Sequence, residues 1–195
     1  MNRVQRYARP AIVLHWLVAV LMIVNVILAL SVDSLPDRWT RPLIDTHKSF
    51  GITVLGLALL RLLWRLSHPA PPLPSAYPRW EHLVSRLAHG LLYLLMFALP
   101  LSGWMHDSAR KDAATHPMKL FGLVPWPRIG WITAIGPERK EYLHGLFGAW
   151  HTGLAYGLYV LFALHLVAAL KHQFVDREAE LQRMWWARRG AGGES

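Results

Sequence analysis

Cysteine is absent from all 195 residues. That excludes disulfides, thiolate metal sites, iron–sulfur clusters and covalent haem attachment through a CxxCH sequence. Charge is also scarce: Asp, Glu, Lys and Arg make up 17% of the chain, against about 25% in an ordinary soluble domain. Acidic groups are the scarcer sign, 12 against 21 Lys and Arg. What fills the chain instead is apolar surface, 53% hydrophobic residues with 10 Trp, and this is the composition of a membrane protein.

A helix needs about 20 predominantly apolar residues to cross the hydrocarbon layer. Residues 11–32 meet that test with His15 as the one ionisable side chain, and 87–105 and 145–170 meet it too. The stretch 48–66 is interrupted by Arg61 and Arg65 near its end, where long basic side chains snorkel toward an interface. The sequence therefore predicts an all-α integral membrane domain over 1–195, a four-helix bundle. The first stretch follows Arg3, Arg6 and Arg9 as a secretory signal would. Its apolar run exceeds the roughly 7 to 15 residues of a signal core, so it reads as a retained helix.

The connections are short. Residues 67–86 contain His68-Pro69-Ala70-Pro71-Pro72-Leu73-Pro74, an extended strap that cannot be helical. Residues 106–142, with Pro117, Pro125, Pro127, Pro137, Trp126 and Trp131, suit a cap at the opposite interface. The side holding the termini and the strap collects twelve Lys and Arg, the cap side nine. That bias and the three leading arginines favour cytoplasmic termini. The +9 formal charge follows from this rule and from anionic lipid, so no nucleic-acid partner is inferred.

Histidine is the ionisable residue that stands inside these stretches. His151 and His165 are fourteen residues apart in one uncharged run, roughly 21 Å along a helix and on nearly the same face. His15 enters from the terminal side at the depth of His165. His47 stands at the mouth of the second stretch, at the depth of His151. Four imidazoles in two layers point to two stacked haems b, an inner one on His15 and His165 and an outer one on His47 and His151. Gly51, Gly56, Gly145, Gly148, Gly153 and Gly157 near these ligands leave room for a planar group, although small residues also serve helix packing in membranes. Arg61 and Arg65 lie near the inner depth, as candidate partners of haem propionates or of lipid phosphate. His89 competes as an inner ligand. His144 is an outer candidate, more simply a solvated residue at a helix mouth, and His68, His82, His106 and His116 read as loop or interface side chains.

Several stretches resemble the bacterial cytochrome b561 family of four-helix dihaem membrane proteins. They are Leu14-His15-Trp16-Leu17, Arg41-Pro42-Leu43 before His47, Arg61-Leu62-Leu63-Trp64-Arg65 with the proline strap, Leu99-Pro100-Leu101-Ser102-Gly103-Trp104, and HLVAALKHQF from His165 to Phe174. The resemblance implies the same two histidine pairs and residence in the bacterial inner membrane. It also implies a quinone-facing site near Arg9 and His172, where imidazole would donate a hydrogen bond or proton. Val13 offers no hydroxyl there. Some members of the family oxidise superoxide with ubiquinone as acceptor. A basic outer surface around Lys48, Arg110, Lys111, Arg139 and Lys140 would attract such an anion, though Asp107, Asp112, Glu138 and Glu141 offset it. The expected role is an electron carrier or superoxide:quinone oxidoreductase between a periplasmic one-electron donor or partner redox protein and a membrane quinone. The alternatives are the cytochrome b subunit of a dehydrogenase or hydrogenase, and a haem-free transporter or scaffold.

Overall fold

The computed structural model describes residues 6–72, 77–113 and 115–185. Arg3, Arg188 and Arg189, part of the charge count above, and Leu73 and Pro74 of the strap lie outside the described residues. Four long helices carry the fold: α1 (Arg9–Ser31), α2 (Asp37–Ser67), α3 (Arg79–Ser108) and α5 (Pro137–Phe174). All four are long and apolar enough to cross a membrane, and large apolar side chains such as Leu30, Leu63, Leu94 and Val160 are exposed along them. Two single-turn helices, α4 (Gly130–Thr133) and α6 (Glu180–Arg183), and a two-stranded sheet of β1 (Lys119–Leu120) and β2 (Val124–Pro125) complete it.

The helices outrun the apolar stretches 11–32, 48–66, 87–105 and 145–170. α2 starts ten residues before His47, so that residue stands almost three turns inside a helix rather than at its mouth. Residues 79–86 of the expected strap belong to α3, and 137–142 of the expected cap belong to α5. Proline marks these starts. Pro36 and Pro78 precede α2 and α3, and Pro137 opens α5, where a missing N–H costs nothing.

α1 packs along α2, α2 on α3, and α3 on α5, but α5 does not pack closely against α1 or α2 among the described residues. The central core, Val18, Val54, Ala58 and Met96, lies where α1, α2 and α3 meet. A second core of Ala109, Ile132 and Phe147 sits beneath the cap.

The cap is fastened by charge and by one strained turn. Asp107, 2% exposed, pairs with Lys48 of α2 at 2.7 Å and Arg128 at 2.9 Å. Arg128 in turn donates to the carbonyls of Ala113 and His116. In the β1–β2 hairpin Phe121 has φ 51°, unfavourable for a residue with a Cβ. Its N–H bonds to the buried Ser49 hydroxyl at 2.8 Å and its ring meets Phe50 edge-on. The Asp107→Ala protein is expected to lose about 3 kcal/mol, because the largely buried Arg128 loses its carboxylate partner and Lys48 keeps only the half-exposed Asp45 at 3.2 Å. Thermal unfolding of purified protein reads this as a fall of roughly 10 °C in the midpoint, and an unchanged midpoint would show that the cap does not depend on the pair.

Candidate functional site

At the cap end, His47 on α2 and His151 on α5 face each other with ring centres 6.0 Å apart and planes at 87°. Each ring is oriented through Nδ1, which donates to a main-chain carbonyl: Asn25 of α1 at 3.0 Å for His47, and Leu99 of α3 at 3.1 Å for His151. Ser102 Oγ lies 3.0 Å from His151 Nδ1 and donates to the same Leu99 carbonyl. Gly103 creates the space for that ring, since a Cβ there would stand 3.1 Å from His151 Cε1.

The arrangement matches what a metal between two imidazoles requires. A ligand histidine characteristically gives its second N–H to a carbonyl or carboxylate, leaving the other nitrogen for the metal. Metal–imidazole bonds of about 2 Å on either side, plus half a ring each, put the ring centres roughly 6 Å apart. The α2–α5 seam that the pair spans is also one where the helices are not closely packed.

The terminal end holds a cluster rather than a pair. His15 of α1 has His165, His89 and Arg61 as its electrostatic neighbours. Its Nδ1 is buried with no hydrogen-bond partner among the described residues. His89 is brought against His165, ring centres 5.6 Å apart at 82°, with its Nδ1 donating to the Ser85 carbonyl of its own helix. His15 and His165 straddle the open α1–α5 seam, whereas His89 and His165 straddle closely packed α3 and α5.

The remaining candidates divide. Arg61 is half-buried, with its guanidinium 5.2 Å above the Tyr93 ring. Arg65 and Arg9 are exposed, Arg9 as the first residue of α1. His172 is half-buried beside Asp176 and stacks on Tyr77. His106 and His144 are helical and half-buried. They stack at 3.9 Å across α3 and α5, each Nδ1 bonded to the other's carbonyl. Gly148 makes room for His106, whose Cε1 would lie 2.9 Å from an added Cβ. The glycine therefore serves this clasp, while Gly56, Gly145, Gly153 and Gly157 face open space.

Sequence reading missed Ser102 and Gly103 as supports of His151, although both lie in a stretch that carried the family resemblance. It also missed the closure of the terminal end. There Trp16 Nε1 donates to the Met184 carbonyl, and Arg183 reaches the Pro71 and Pro72 carbonyls. Arg183 is 5% exposed, and no local pattern in the chain marks it for burial.

Residues 6–187 match the prokaryotic cytochrome b561 family. The chain belongs to that family. It is 33% identical over 186 residues to cytochrome b561 homolog 2 of Escherichia coli (strain K12), spanning 94% of this chain and 93% of the relative. It is 29% identical over 188 residues to a protein of Yersinia pestis named a probable superoxide oxidase, spanning 95% and 99%. Cytochrome b561 homolog 1 of Escherichia coli (strain K12) is 24% identical over 181 residues, spanning 92% and 96%. Membership makes this a bacterial membrane protein that binds b-type haem, a group the facing imidazoles and open seams of α5 fit.

Proposed function

We propose that this cytochrome b561 carries two haems b and moves electrons from a periplasmic one-electron donor, superoxide, to ubiquinone in the inner membrane, with both termini cytoplasmic. The observation that carries the reading is the facing of His47 and His151, each oriented through Nδ1 by a main-chain carbonyl across a seam where α5 does not pack. His47 and His151 hold the outer haem, His15 and His165 the inner one. Haem b, when bound, supplies reversible one-electron exchange, with histidine on both axial positions.

The protein side chains do the rest. Arg61, half-buried in the inner cluster, is placed to neutralise a propionate, and exposed Arg65 supports it at the interface. At the cap end a cavity of about 160 Å³ is lined by Arg41, Asp45, Lys48, His116, Lys119 and Arg128 among others. Lys48 is adjacent to His47 in sequence, so the cationic lining draws a small anion toward the outer site. The surplus of cations there favours superoxide, as does the similarity to a protein named a probable superoxide oxidase. At the terminal end His172 and Arg9 meet the quinone. Two superoxide ions each give up one electron and leave as dioxygen, and the quinone takes two electrons and two protons.

The test is superoxide consumption by purified haem-loaded protein with and without a soluble ubiquinone analogue. Quinone-dependent consumption that falls several-fold as ionic strength rises is expected, since steering of an anion is screened by salt. Inertness toward superoxide, with rapid reduction by a co-purifying soluble metalloprotein, would place the chain as a subunit of a larger dehydrogenase.

A further inference from the structure

His172 lies within the last turn of α5, beside Asp176, which follows that helix. The His172 Nδ1–Asp176 Oδ2 distance is 2.7 Å, and the ring of Tyr77 covers one face at 4.5 Å and 28°. The Tyr77 hydroxyl donates to Glu180 at 3.1 Å. Asp176 also pairs with Lys171 at 2.8 Å, and Lys171 reaches Glu81 of α3 at 3.0 Å. The main-chain N–H of Glu178 bonds to the His172 carbonyl. The charged and titratable groups around this imidazole are therefore Asp176, Lys171, Glu81, Tyr77, Glu178 and Glu180.

Glu81, His172 and Asp176 present ligand atoms within 4.8 Å of one another, a spacing that suits a divalent cation. The Lys171 ammonium already bridges the two carboxylates, so metal is the poorer account. A carboxylate on Nδ1 of a half-buried imidazole, with an aromatic ring fixing its plane, has the logic of an acid–histidine couple. The carboxylate sets the tautomer and stabilises the charged ring, leaving Nε2 to act.

Resting on the quinone-site reading above, we propose that Asp176 is the positioning residue for His172, holding the proton on Nδ1 and presenting Nε2–H as donor to one carbonyl oxygen of the quinone. For each quinone, two electrons arrive from two one-electron donors. One proton passes from His172 Nε2 to the nearer oxygen and is replaced from water. The other oxygen takes its proton from water directly. Asp176 is suited to this because pairing with Lys171 holds its carboxyl below the usual carboxylate range, ionised while the imidazole cycles.

The test follows reoxidation of the reduced haem-loaded protein by a short-chain ubiquinone in stopped flow. Asp176→Asn is expected to slow reoxidation roughly tenfold, part of what a positioned proton donor contributes. Asp176→Glu restores most of the rate. Lys171→Gln, which breaks the ion pairs but keeps the imidazole–carboxylate bond, keeps most of the rate. The positioning is readable without turnover, as the His172 tautomer by NMR, with the proton held on Nδ1 in the native protein and no longer fixed there in Asp176→Asn. A native rate and tautomer for Asp176→Asn, or the same slowing in Lys171→Gln, overturns the assignment of Asp176. Undiminished reoxidation in His172→Ala instead overturns the quinone-site reading, and this inference falls with it.

Discussion

Purified His151→Ala protein is expected to carry one haem b per chain, against the two proposed for the native chain. His151 is the better supported half of the outer pair. Its Nδ1 is bonded to the Leu99 carbonyl and its ring is accommodated by Gly103. That leaves Nε2 as the nitrogen for a bound group, with the His47 ring centre 6.0 Å from that of His151. On the proposed assignment an alanine removes the imidazole that α5 gives to the outer haem. His165 is two heptads away, roughly 21 Å along the helix, so the inner site is left standing. Pyridine haemochrome quantification per chain reads the count, and circular dichroism shows whether the helices persist. Two haems retained by a folded His151→Ala protein would break the assignment of the outer pair.

How much of this was visible in the chain follows from what a bilayer demands. Uninterrupted apolar runs have few alternatives to spanning helices, so four helices were legible. Their ends were not, because α2 and α5 begin in polar residues, Asp37–Lys48 and Pro137–His144, that continue the helix beyond any apolar run. Prolines at those starts are the available signal, and in the cap region proline fits a loop equally well.

The site divides along the same line. The spacing of His151 and His165 is a property of one helix and can be read from one segment. Which histidine meets which across the bundle depends on helix adjacency, and α5 lies on α3 rather than on its ligand partners. That adjacency stacks His106 on His144 and brings His89 to His165, neither of which periodicity reveals. Asp107 was equally opaque. In sequence it is one acid offsetting a basic surface, and in the fold it is a buried carboxylate joining α3 to α2 and the cap.

The inner site gives the sharper experiment, because three imidazoles compete for two axial positions. His15→Ala is expected to remove the inner haem, one per chain lost, while His89→Ala keeps both. Ring proximity alone points the other way, since His89 stands 5.6 Å from His165. Two physical arguments outweigh it. The macrocycle must fit between the helices that supply its ligands, and α3 packs closely on α5 whereas α1 does not. Depth agrees as well. Measured from the start or end of each apolar run, His15 lies about 6 Å inside, His165 about 7.5 Å and His89 about 3 Å. On the proposed assignment His89 stands at the rim of the inner haem, where an imidazole with one free nitrogen can bond a propionate. On that account His89→Ala shifts the inner haem's reduction potential without lowering the haem count. The reverse result, two haems in His15→Ala and one in His89→Ala, would mean that α3 opens from α5 when haem is inserted, with His89 as the axial partner of His165.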